Sequence, residues 1–196
     1  MDFVSKFSPF VQLDIVQIER ELRRKILQWA EPRPAAAARP QVALPAGYRP
    51  IVAPAARVDL VAVGVSTGGP KIMPEFLRAT GRLDCPMVIA QHMPALFTAS
   101  LARHLAFDTG LDVMEGEDGL ELRPRQVVVM TGMGCDGTIG ARAFTARGFP
   151  VLVQSPESCV VGGMPGAVIE AGVSPLVLSL PEISRRLIRW CVPPGA

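Results

Sequence analysis

The absences in this sequence of 196 residues narrow its function first. It carries no strong charge of either sign. A net charge of +2 is too small to argue for a nucleic-acid partner. No apolar run is long enough to span a bilayer. The opening residues, MDFVSKFSPF, lack the charged-then-apolar layout of a secretory signal. Cys85, Cys135, Cys159 and Cys191 are scattered, with no Cys-x-x-Cys pair. In a chain this apolar they read as reduced thiols in the cytoplasm rather than as a disulfide framework. No internal repeat is evident. What is there suffices for a core: hydrophobic residues make up 49% and charged residues 19%, and the length fits one domain plus an appendage.

Residues 13–29 place Ile15, Ile18, Leu22, Ile26 and Trp29 at intervals of three or four, with charged residues between them. That spacing predicts one amphipathic helix with a solvated charged face. From 31 onward the composition shifts to proline, alanine and arginine, which predicts an extended linker. The domain expectation is therefore 1–30, then a linker at 31–57, then a main domain at 58–196. Within the main domain, short apolar runs alternate with helical patterns. Strands are expected at 59–63, 86–90, 127–130, 150–154 and 176–178. Helices are expected at 70–80, 97–106, 137–147, 164–171 and 181–190. No firm element is expected at 115–125. This alternation predicts an α/β fold: a doubly wound, mainly parallel sheet with helices on both faces.

The first strand runs into Gly64-Val65-Ser66-Thr67-Gly68, the Gly-x-Ser-x-Gly of a nucleophile elbow, then Gly69-Pro70. An ordinary glycine-rich or phosphate-binding turn competes with that reading. In open α/β sheets ligands sit beyond the carboxyl ends of strands. Ser66 follows the first strand, His92 the second and Asp136 the third. A hydroxyl, an imidazole and a carboxylate on one sheet edge are the groups that nucleophilic acyl transfer requires. Each has a plainer role available: a loop hydrogen bond for His92, a helix N-cap for Asp136. His104 reads as a surface residue of a helix. Cys135 has no cationic neighbour to activate it. The order Ser, His, Asp also differs from the Ser, Asp, His of α/β-hydrolases.

GVSTGGP at 64–70, QHMPALFTASLARHL at 91–105, TGMGCDGTIGARA at 131–143 and SCVVGGMPGA at 158–167 resemble the catalytic domain of the chemotaxis methylesterase CheB. The resemblance covers most of 58–190, with the blocks in the family's order. It implies a cytoplasmic protein-glutamate methylesterase acting on the cytoplasmic domains of methylated chemoreceptors, often also a glutamine deamidase. On that resemblance Ser66 is the nucleophile, His92 the base and Asp136 its orienting partner. The backbone amides of Thr67 and Met133 form the oxyanion hole, and neither metal nor cofactor is needed. DFVSKFSP at 2–9 resembles the end of a receiver domain, with Lys6-Phe7 where Lys-Pro is usual, and 21–30 resembles the helix that follows. Residues 1–50 are then expected to be a remnant, without the phosphoacceptor site.

The chain departs from the family between 115–124 and the TGMG block. Family members carry further residues there, including another βα portion and an Arg-Pro-Ser-x-Asp motif. Gly163 and Gly166 stand where the family more often has an aromatic and a basic residue. A non-catalytic homologue that binds receptor helices is the competing expectation. A nucleotide-binding protein is a weaker one, since no lysine follows the glycines in Walker spacing.

Overall fold

The computed structural model describes residues 47, 49–132, 136–173 and 175–192, with the side chain of Asp136 outside the description. The expected helix at 13–29 and most of the linker lie outside the described residues. All described residues fall in the compact unit Gln41–Ala196.

Four strands form one fully parallel sheet: β1 (Val61–Val65), β2 (Met87–Gln91), β3 (Asp112–Glu115) and β4 (Gln126–Thr131). Their order is β1-β2-β4-β3. A second parallel pair joins β5 (Leu152–Gln154) to β6 (Leu176–Leu178). Helices α1 (Gly69–Thr80), α2 (Thr98–Thr109), α3 (Asp136–Ala146), α4 (Gly163–Glu170) and α5 (Leu180–Cys191) alternate with the strands. The expected α/β fold with a mainly parallel sheet is the observed one.

The strands are continuous apolar runs because their core-facing side chains are shut away from water. Val61, Val65, Met87, Ile89, Val127 and Val129 project to one face. There Met73, Phe76 and Leu77 of α1, Leu101 and Leu105 of α2, and Ile183 and Leu187 of α5 cover them. Full burial of such a side chain contributes about 1.5–3 kcal/mol, so this layer supplies most of the cohesion. On the other face, the Met164 methyl of α4 lies 2.8 Å from where a Gly64 Cβ would be. A smaller cluster joins Ala141 of α3 to Val153, Val168, Ile169 and Val173.

Helix ends follow local chemistry. Pro70 occupies the first turn of α1, where its missing N–H costs nothing. Pro74 falls a turn later and removes a single intrahelical donor. At α5 the Glu182 carboxylate accepts from the Ser179 amide (2.8 Å) and hydroxyl (2.5 Å). Those hydrogen bonds hold Glu182 below the usual carboxylate range. His104 is an exposed helix residue, 3.3 Å from Asp108.

Strand β3 lies where no element was expected. Its single buried side chain is Val113, bracketed by the acidic Asp112 and Glu115, so it carries almost no periodic signal. Arg125, at φ 68, is the one non-glycine residue with positive φ among those described. Its guanidinium holds Asp84 Oδ1 with two hydrogen bonds of 3.0 and 2.9 Å, fixing the turn into β4.

Cys85, ahead of β2, and Cys191, at the end of α5, are both buried, and the Asp84 amide donates to the Cys191 carbonyl at 3.2 Å. Burial, with the neighbouring thiol, pushes Cys191 up to about 12. Burial also raises Cys85 above the ordinary value of 9.0. The folded chain therefore keeps thiols neutral that ionise near 9 once unfolded. That contribution is complete below pH 9 and is lost as the pH climbs toward 12. Urea unfolding across this window is expected to show falling stability, with a smaller slope in Cys191→Ala. An identical slope in the variant would contradict it.

Candidate active site

The carboxyl ends of β1, β2 and β4 stand level. Val65 pairs with Gln91, and Gln91 pairs with Thr131. Ser66, His92 and Gly132 therefore leave the sheet side by side. The loops are tied together as they leave. The His92 amide donates to Val65 O (2.8 Å), and Gly132 N to Gln91 O (3.1 Å). Thr131 Oγ1 donates to Met93 O at 2.6 Å.

Ser66 opens a tight turn in which Gly69 N donates back to Ser66 O at 2.9 Å. Gly68 sits at φ 91, ψ −14, the third position of a type II turn, which favours glycine. The sequence pattern offered a nucleophile elbow, with the serine on a sharp turn, beside an ordinary glycine-rich turn. In the backbone Ser66 is not at positive φ, and Gly68 takes the left-handed conformation instead. Gly-x-Ser-x-Gly fixes small neighbours but does not say which residue must turn.

Half-buried Ser66 places its Oγ 3.3 Å from His92 Nδ1, with the imidazole exposed. This is within the looser range typical of substrate-free sites. With the ring proton on Nε2, Nδ1 is free to accept from the hydroxyl. Thr67 lies in the turn at the N-terminus of α1. Among the described residues its amide donates to no acceptor, and it stands where helix dipoles favour negative charge.

Ser66 and His92 are thus brought together. Met133 and Cys135 lie outside the described residues, as does the Asp136 side chain. The Asp136 backbone begins α3, one residue earlier than expected. The methyl of Met164 lies 2.8 Å from ideal Cβ positions on both Gly64 and Gly137, so it touches the end of β1 and the first turn of α3. Sequence reasoning placed Gln91 with His92 just past the second strand but gave it no role. Its side chain is buried beneath the site, and no local pattern marks a glutamine whose partners lie elsewhere in the chain.

The CheB methylesterase family model matches residues 61–130 and 126–187, two stretches that share 126–130. The protein-glutamate methylesterase/protein-glutamine glutaminase of Geobacillus kaustophilus is 31% identical over 245 residues, covering 96% of this chain and 70% of the relative. That named as number 1 in Oleidesulfovibrio alaskensis is 29% identical over 267 residues, covering 96% and 72%. Both alignments are longer than this chain of 196 residues, so the relatives carry residues with no counterpart here. Among solved structures, the Thermotoga maritima CheB methylesterase catalytic domain superposes with a TM-score of 0.62 at 29% identity. That match covers 68% of this chain and 99% of the solved one. The chain belongs to the CheB methylesterase family.

Proposed function

We propose that the chain is a protein-glutamate methylesterase that hydrolyses glutamate γ-methyl esters on the cytoplasmic domains of chemoreceptors, by an acyl-enzyme route. The observation that carries the reading is the Ser66 Oγ to His92 Nδ1 separation of 3.3 Å. Ser66 attacks the ester carbonyl while His92 takes its proton. The tetrahedral oxyanion faces the amides of Thr67 and Met133; a donor of this type contributes about 3 kcal/mol to the transition state. The intermediate collapses, His92 protonates the leaving methanol, and water then cleaves the acyl-enzyme with His92 as base. Asp136 orients the imidazole and stabilises its charged form. A glutamine side chain at the same carbonyl loses ammonia instead, which accounts for deamidation by the same machinery.

A protein substrate suits the rim. Leu96 and Phe97, just past His92, are 85% and 52% exposed. Val160 packs 3.3 Å from an ideal Gly68 Cβ and is itself exposed. In this reading residues 58–196 are the catalytic unit, 1–30 derive from a receiver domain and 31–57 connect them. The protein works in the cytoplasm, within chemotaxis signalling. Among the described residues no helix is long and apolar enough to cross a membrane. A second reading, a receptor-binding homologue without catalysis, draws on the two family stretches that share 126–130.

Methylated receptor membranes incubated with the purified chain are expected to release methanol, and Ser66→Ala is expected to abolish the release. His92→Gln is expected to lower the rate by roughly 10²–10⁴-fold. A fluorophosphonate probe should label Ser66. Absence of both methanol and label, with receptor binding retained, would replace the enzymatic reading by the second one.

A further inference from the structure

We infer that Gln91 is a positioning residue for the Ser66–His92 pair, an assignment that rests on the esterase reading for its catalytic consequence. Gln91 is 2% exposed, the last residue of β2 and the middle of the level row formed with Val65 and Thr131. Its Nε2 donates to Ser66 O at 3.1 Å and to His92 O at 3.2 Å. Both partners are carbonyls, so the NH₂ end must face them and the amide orientation follows from chemistry. One planar group thereby ties the backbones of nucleophile and base to a single nitrogen. The main chain of Gln91 completes the set, since its carbonyl accepts from Gly132 N at 3.1 Å. A single residue bonds all three loops that carry the site.

Gln91 Oε1 is buried with no hydrogen-bond partner among the described residues. Burying an unpaired acceptor is unfavourable, and an apolar side chain of similar size would avoid it. The two hydrogen bonds made by Nε2 offset that cost. What glutamine adds is the two-pronged donor. The surroundings are shaped to admit it: a Cβ on Gly69 would lie 2.1 Å from Gln91 Oε1 and 2.6 Å from Val65 Cγ1. The first residue of α1 is held to glycine by the glutamine amide and the valine beneath it.

Loss of the fork lets the two loops drift while the core beneath is untouched. A misplacement of about 1 Å between reacting groups costs roughly 100-fold in rate. In Gln91→Leu, kcat for methanol release is expected to fall about 10- to 100-fold, with KM within about twofold and a thermal midpoint lowered by only about 2–8 °C. Hydrogen exchange is expected to quicken at least about tenfold at 65–72 and 91–98, and to stay constant at 87–90. Gln91→Asn, one methylene too short to reach both carbonyls, carries the same test where the leucine variant does not fold. An unchanged kcat, unchanged exchange in both loops, or a loss that merely tracks unfolded protein would overturn the assignment. So would failure of both variants to fold, which would mark the residue as structural. If the wild-type chain releases no methanol, the esterase reading fails by itself. The exchange of the two loops then decides whether Gln91 positions them.

Discussion

The parallel register that sets Val65, Gln91 and Thr131 in one row is the constraint on which the site depends. Parallel strands end together only if they are paired in step, and here the step is locked past the ladder itself. His92 N on Val65 O, and Gly132 N on Gln91 O, extend the pairing one residue into each loop. Ser66, Thr67 and His92, the described residues with a chemical role in the proposed reaction, lie just beyond that row. Slippage by one residue would turn core side chains such as Ile89 and Val129 toward the other face. The apolar layer that stabilises the fold is thus also what fixes the position of Ser66 against His92.

Glycine is used where close approach is needed, and the reason differs by position. Gly68 supplies the positive φ of the turn after Ser66, and Gly69 makes room for the Gln91 amide. Gly64 and Gly137 share the Met164 methyl between them. Methionine suits that place because its flexible, polarisable end fills an irregular gap between two backbones. The Ser66 loop and the start of α3 are brought near each other by a thioether, with no hydrogen-bonded ladder between them among the described residues.

Much of this was legible in the sequence, for physical reasons that also explain the misses. Strands β1, β2 and β4 were visible because buried parallel strands are apolar throughout, as in Val61-Ala62-Val63 and Val127-Val128-Val129. β3 was not, because Asp112 and Glu115 flank a single buried valine. The candidate site was legible as a set of residue types just past strand ends, and Ser66 and His92 do lie within reach. The turn was legible but not which residue takes the left-handed conformation, since spacing alone does not single out Gly68. Gln91 was legible as a polar residue past a strand end, but not its role, because its Ser66 partner lies 25 residues away in sequence and only the folded sheet brings them together.

The two family stretches share 126–130, and the chain supplies one strand there. In the fold, β4 spends both its edges on β2 and β3, and β5 with β6 forms a separate sheet. β1 therefore pairs on one side only among the described residues. Hydrogen-bonded strands fix distance and register, whereas apolar contact such as that of Met164 is non-directional. The nucleophile is thus held by directional bonds from the β2 side and by packing from the side of α3 and α4. On this physical ground the two carbonyls gripped by Gln91 matter more here than they would in a sheet that continued past β1.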